Sequence, residues 1–237
     1  MPKQPRTAFK QLTLLPFSRW LLSESARKLF NPFATTSYAQ SAEDLMIIGL
    51  LGRRTGFYVD VGCHHPVRLS NTYLLYLQGW HGLAIDANAA FGLLFAELRP
   101  KDTFIHAALS DTEQDAEFTV YADPALSSLS GTPLFDSPKQ YAVTRIVKMR
   151  TQLLNTILRS HAVPRKFDLL TIDVEGQDKE VLASLDLSEF QPELIVIEAH
   201  GADLLSIAQH AITRRLLPFG YTLVAFHGPN LFFHKRS

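Results

Sequence analysis

Four apolar runs in this chain each end on a carboxylate, and that repetition constrains the fold more than any other feature. They are Phe57-Tyr58-Val59-Asp60-Val61-Gly62-Cys63, Ala84-Ile85-Asp86, Ala107-Ala108-Leu109-Ser110-Asp111 and Leu170-Thr171-Ile172-Asp173-Val174-Glu175-Gly176. An apolar run that delivers a polar residue at its carboxyl end, repeated between helical segments, lines a ligand crevice along one edge of a parallel sheet.

Helix and turn signals separate these runs. Ser41 with Asp44 three residues on reads as a capping box, predicting a helix from Ser41 to about Leu51 that Gly52 stops. Further helices are expected over 72–78, 88–98, 151–160, 178–185 and about 202–217. Strands are expected over 57–61, 82–86, 103–109, 117–121, 145–150, 168–172 and 194–198. Residues 221–226 and 231–234, with Gly228-Pro229-Asn230 between them, read as a closing hairpin. Residues 122–142 are rich in Ser, Pro and Gly, an irregular insertion of the kind that serves as a lid, a binding loop or a linker. Right-handed crossovers turn this order into an α/β, doubly wound, mostly parallel sheet with a C-terminal antiparallel hairpin.

A length of 237 residues, 46% of them hydrophobic, suits one large domain over 37–237 behind a leader of residues 1–36. The leader is basic: Lys3, Arg6, Lys10, Arg19, Arg27 and Lys28 stand against Glu24 alone. Its segment 17–30 reads as a weakly amphipathic helix. Packing on the domain is the favoured role, and weak contact of residues 1–34 with an acidic membrane surface is the alternative. Over the whole chain Lys plus Arg equal Asp plus Glu at 23 each, which gives no general field for nucleic acid. Cys63 is the only cysteine, so no internal disulfide forms. With no apolar run of about 18–20 residues and no clean signal peptide, a cytoplasmic protein is expected. The oligomeric state is not legible.

The strand ends carry the chemistry. Gly62 in Asp60-x-Gly62 lets the backbone approach a ligand. The loop Gly62-Cys63-His64-His65-Pro66 lacks the later glycines of a dinucleotide cradle, which favours a smaller nucleoside. Asp86 is placed to accept from a ribose diol or to cap the helix at Asn88. Ser110 and Asp111 border an adenine rim or form a simple turn. Asp173, with Glu175 beside it if the strand persists, could act as a general base, orient an amine or hydroxyl, or hold a divalent metal. His200, two residues past Glu198, is a further base candidate or a structural histidine. His64 and His65 have no partners at zinc-site spacing, and no metal is expected.

These residues resemble the FkbM family of S-adenosylmethionine-dependent methyltransferases. The likeness runs from about Tyr38 to His200. It is carried by Tyr38-Ala39-Gln40-Ser41-Ala42-Glu43-Asp44, the Asp60-x-Gly62 stretch, Ser70-Asn71-Thr72, Gly79-Trp80-His81-Gly82, Ile85-Asp86-Ala87-Asn88, Ala108-Leu109-Ser110-Asp111, Ile172-Asp173-Val174-Glu175-Gly176 and Val196-Ile197-Glu198. The resemblance implies the class I methyltransferase (Rossmann-like) fold, S-adenosyl-L-methionine as cofactor, and methyl transfer to a hydroxyl of a sugar, glycolipid or secondary metabolite. It implies that Asp60 and Gly62 frame the methionine end, Asp86 takes the ribose, Ser110 and Asp111 border the adenine, and Asp173 and Glu175 face the methyl group and the acceptor. Gln40, Glu43 and Asp44 fall where the family places a helix over the pocket. The chain departs from many members in its Cys63-His64-His65-Pro66 loop and in Asp86-Ala87, where Glu-Pro is common. A nicotinamide-dependent oxidoreductase and a non-catalytic nucleoside-binding module are the alternatives on the same fold.

Overall fold

The computed structural model describes residues 35–236 except 53–54, 130, 132–138 and 140–141. The leader up to residue 34, with its candidate helix at 17–30, lies outside the described residues. The strands are β1 (Phe57–Val61), β2 (His81–Asp86), β3 (Thr103–His106), β4 (Ala108–Leu109), β5 (Asp115–Tyr121), β6 (Val143–Gln152), β7 (Lys166–Ile172), β8 (Gln191–Glu198), β9 (Tyr221–His227) and β10 (Asn230–Lys235). The helices are α1 (Glu43–Leu51), α2 (Tyr73–Leu77), α3 (Gly92–Leu98), α4 (Leu154–Ser160), α5 (Asp178–Ala183) and α6 (Ala211–Leu216). Seven strands make the main sheet in the order β3-β2-β1-β7-β8-β10-β9. All its pairs are parallel except those of β10, which runs antiparallel to β8 and β9.

The period-two alternation of strands sorts the central residues into two cores. Val59, Val61, Leu170, Ile172, Ile195 and Ile197 pack with Leu154 and Leu158 of α4, Leu182 of α5 and Leu216 of α6. Tyr58, Leu169, Leu194 and Val196 pack on the other face with Ile47 and Leu51 of α1 and Leu75 of α2. Both faces are covered, which is why these strands are nearly continuous apolar runs. Truncating a buried leucine such as Leu170 to alanine would cost about 2–5 kcal/mol, so the strand tips stand on a rigid base. The same alternation assigns Asp60, Thr171 and Glu198 to the face of α1 and α2. Glu43 of α1 docks there: its Oε1 accepts from Asn230 Nδ2 at 3.1 Å, and Asn230 is the register partner of Glu198.

Several expectations change. The run over 103–109 is not one strand. After Ala107, whose N–H goes to the Asp86 carbonyl at 3.0 Å, the chain leaves the main sheet, and β4 pairs with β6 in a second sheet of order β4-β6-β5. Strand β6 continues through Thr151 and Gln152, so α4 starts at Leu154 instead of 151. The helix expected over 202–217 shrinks to α6 between two short 3-10 turns, the second holding Pro218, which lacks an N–H. The capping box does not form: left-handed Ala42 (φ 69°) is the N-cap of α1. Asp44 instead accepts from Ser37 Oγ and Tyr38 N, and Glu43 from Ser41 N.

Candidate active site

The tips of β1, β2 and β7 are knitted together by main chain. Gly62 and Cys63 both donate to the Ile85 carbonyl, and Asp173 N donates to Val61 O at 2.9 Å. A Cβ on Gly62 would lie 1.7 Å from the Asp173 carbonyl oxygen, and Gly62 has φ +78°. Glycine is therefore required here by a close approach and by conformation together. Asp86 ends β2 with both oxygens engaged: Oδ2 accepts from His64 N at 2.8 Å and Oδ1 from Asn88 N at 2.7 Å. Burial pushes the Asp86 carboxyl up to about 6, against the pull of those two N–H groups. Each oxygen still has acceptor capacity for a hydroxyl.

A cleft runs from Asp86 to Asp173 and encloses about 550 Å³ between atoms, its solvent-open mouth included. Gly62 and His64 form its floor with Asp86, and Asp173, Glu175 and Gln177 close one end. Ala107, Ala108 and Leu109 make an apolar wall, to which the insertion adds Pro124, Ala125, Ser127 and Leu129. This part of the insertion is pinned: Thr119 and Ser128 exchange main-chain bonds, and Ser127 Oγ accepts from Tyr121 N at 3.2 Å. An apolar slot with an acceptor at one end suits a flat heterocycle joined to a ribose.

The other end of the site is acidic. Beyond β7 the chain turns sharply, with Glu175 at φ 54° and Gly176 at φ 99°. The strand does not persist to Glu175, so the turn sets its position, not strand alternation. Asp178, the first residue of α5, ties this turn down by accepting from Val174 N at 3.0 Å and Gly176 N at 3.2 Å. From β8, Glu198 Oε2 meets His200 Nε2 at 2.7 Å. Burial, with the charges of Glu198, Glu175 and Asp178, holds the Asp173 carboxyl well above the usual range. Burial and Glu198 raise Glu175 to about 8 and Asp178 to about 7. The hydrogen bond to Glu198 raises the His200 pKa. Two sets, Glu175-Glu198-His200 and Asp173-Asp178-Glu198, each bring ligand atoms within 4.8 Å of one another and could hold a cation. The sequence leaves a divalent metal open at Asp173 and Glu175; the fold adds Asp178 from the start of α5, Glu198 from the end of β8 and His200 just beyond it.

The fold thus brings Gly62, Asp86, Asp173 and Glu175 to one cleft, with His200 held by Glu198 beside the cation-capable cluster. Asp60 does not line the cleft. It is buried and accepts from Thr72 Oγ1 at 2.5 Å. Ser110 and Asp111 do not line it either: Ser110 N bonds to Gln152 O, Asp111 is exposed, and Ala107 to Leu109 take the wall. Sequence reasoning missed Asp178 as a member of the acidic group, although an acid two residues after Gly176 at a helix start was the available signal.

Residues 60–222 match the family model described as Methyltransferase FkbM domain. No curated protein matches the chain. Similar solved structures include a ribosomal protein L11 methylase from Lactobacillus delbrueckii subsp. bulgaricus, at TM-score 0.46 and 12% identity over 82% of this chain and 78% of that one. A TehB-like SAM-dependent methyltransferase from Corynebacterium glutamicum is similar at TM-score 0.44 and 13% identity, over 94% of this chain and 100% of that one. The Burkholderia thailandensis 1,6-didemethyltoxoflavin-N1-methyltransferase, solved with 1,6-didemethyltoxoflavin and S-adenosylhomocysteine, has TM-score 0.44 and 12% identity over 93% of this chain and 87% of that one.

Proposed function

Because the chain belongs to the FkbM methyltransferase family, with the class I methyltransferase fold and S-adenosyl-L-methionine as its cofactor, we propose that it methylates a hydroxyl group of a sugar, glycolipid or secondary metabolite. The observation that carries this reading is the group of carboxylates raised toward neutral pH at the end of the cleft. A sulfonium methyl is already activated, so the protein has to align the displacement and take one proton. The acceptor oxygen bonds to the methyl carbon as the carbon–sulfur bond breaks. Its proton passes to Asp173 or Glu175, and S-adenosylhomocysteine leaves. Glu175, raised to about 8, is a stronger base than an ordinary carboxylate, and burial with the neighbouring acids moves Asp173 the same way. Glu198 favours the protonated form of His200, which suits that ring to orienting an acceptor more than to deprotonating it.

Asp86 is assigned to the ribose, and the wall of Ala107 to Leu109 to the adenine. The acceptor is taken to be a small molecule or glycan, in the cytoplasm. Among the described residues no helix is long and apolar enough to cross a membrane.

Isothermal titration with S-adenosylhomocysteine and NAD, followed by labelled-methyl transfer to a panel of hydroxyl compounds, tests the proposal. Micromolar binding of the sulfur compound alone, with transfer, is expected. Binding without transfer to any acceptor would point to a non-catalytic module. Running the transfer with chelator and with Mg²⁺ separates a carboxylate base from a cation held by the same residues.

A further inference from the structure

Arg99 follows α3 as its C-cap and has no exposed side-chain surface, yet it does not line the cleft. All of its guanidinium N–H groups are used. Nε donates to Asp102 at 2.6 Å. Nη1 donates to the Pro66 carbonyl and to Ser70 Oγ, each at 3.3 Å. Nη2 donates to the Tyr58 hydroxyl at 2.7 Å and to Thr72 Oγ1 at 2.9 Å. Thr72 in turn spends its own proton on Asp60, and Tyr58 spends its proton on Asp102. The Thr72 and Tyr58 hydroxyls therefore each accept from Arg99 and donate to an acid.

We infer that Arg99 is a positioning residue for the cofactor cleft: it grips the loop from Gly62 to Ser70 at its far end and, through Thr72, fixes Asp60 at its near end. This inference rests on reading the cleft as the cofactor site. The loop between those anchors carries Gly62 and His64 into the cleft, and its His64 N–H helps hold Asp86. A buried ion pair is a weak source of stability, since packed apolar residues of like volume often serve as well. Apolar residues cannot hold a carbonyl, three hydroxyls and a carboxylate in fixed orientations, whereas the planar five-donor fork of arginine can. Asp60 therefore acts on the cofactor through the loop, from behind it.

Titration of the full chain with S-adenosylhomocysteine tests this with Thr72→Val and Thr72→Ser beside the wild type. Valine keeps the shape and removes the hydroxyl that joins Arg99 to Asp60. Thr72→Val is expected to weaken binding about tenfold, the loss of a hydrogen bond to a charged group, and to lower the thermal transition because a buried Arg99 N–H and the Asp60 carboxylate each lose a partner, so affinity is read well below that transition. Thr72→Ser is expected to restore the affinity. Arg99→Met is expected to lose more affinity, and stability with it. Wild-type affinity in Thr72→Val, or a loss that serine does not restore, would overturn the role of Arg99. A wild type that fails to bind S-adenosylhomocysteine would instead overturn the cofactor reading beneath it.

Discussion

Two acidic groups of the main sheet are built on opposite plans. At β1, Asp60 and Asp102 share a fixed cation, Arg99, which also satisfies the hydroxyls between them. Beyond β7 and at the end of β8, Asp173, Glu175, Asp178 and Glu198 gather in two sets that share Glu198, one of them with His200, whose own charge comes and goes with pH. The first group sets a permanent cation among its acids, and Arg99 with Thr72 pulls the Asp60 carboxyl down against a burial that still leaves it raised, to about 6. The second is a crowd of like charges out of water, and such a crowd relieves itself by keeping protons. Matched acids serve as scaffold, while unmatched ones are where a proton can be exchanged.

The sharpest way to break that contrast is Asp173→Asn. Transfer should fall about 100- to 10,000-fold, the usual worth of a general base, while calorimetry shows S-adenosylhomocysteine still bound. Full activity would take Asp173 out of the mechanism. Asp86→Ala should act on the other quantity, weakening the cofactor analogue about tenfold to a hundredfold through the lost ribose contact and the released His64 and Asn88 N–H groups. An unchanged dissociation constant would deny Asp86 the ribose.

The smallest effect is on stability. Glu175 and Asp178 stand raised, from 4.5 and 3.8 in the unfolded chain to about 8 and about 7 in the folded one. Between those values the native state holds protons that the unfolded state releases. The stabilisation is thus complete below the unfolded values and is lost as pH climbs through 7 to 8, at up to about 1.4 kcal/mol per pH unit per proton. Calorimetric melting of the apo chain should decline from pH 5 to pH 8, and Asp178→Asn should flatten the decline. A melting temperature that rises over this range would mean that the cluster is compensated after all.

What the sequence disclosed was governed by local periodicity. Apolar runs ending on Asp60, Asp86 and Asp173 were enough to read a parallel sheet with an acidic edge, and the alternation placing Asp173 with Thr171 follows from the same pattern. What it hid depended on partners far along the chain. Nothing in 103–109 marks Ala107 as the point where the strand changes sheets, because apolar residues stand on both sides of it without a Gly or Pro between them. Asp60 turns toward Thr72 for the sake of an arginine 39 positions later in the sequence, which no motif announces. Ser110 and Asp111 follow directly on the residues that form the wall and do not line the cleft themselves. Ser41 fails as a cap because Ala42 adopts a left-handed turn, a backbone choice that side-chain pattern does not encode.

The bond from Asn230 to Glu43 joins residues 187 positions apart, beside Glu198. The cleft residues from Val61 to Gln177 have all been synthesised before that bond can be made. A growing polypeptide therefore holds every residue of the cleft while the flank of β8 still lies bare. Stopping translation before the final hairpin would leave the seats of Leu231, Phe232 and Phe233 vacant, and would show whether the grip on the cofactor can be inherited without the wall beside the acids.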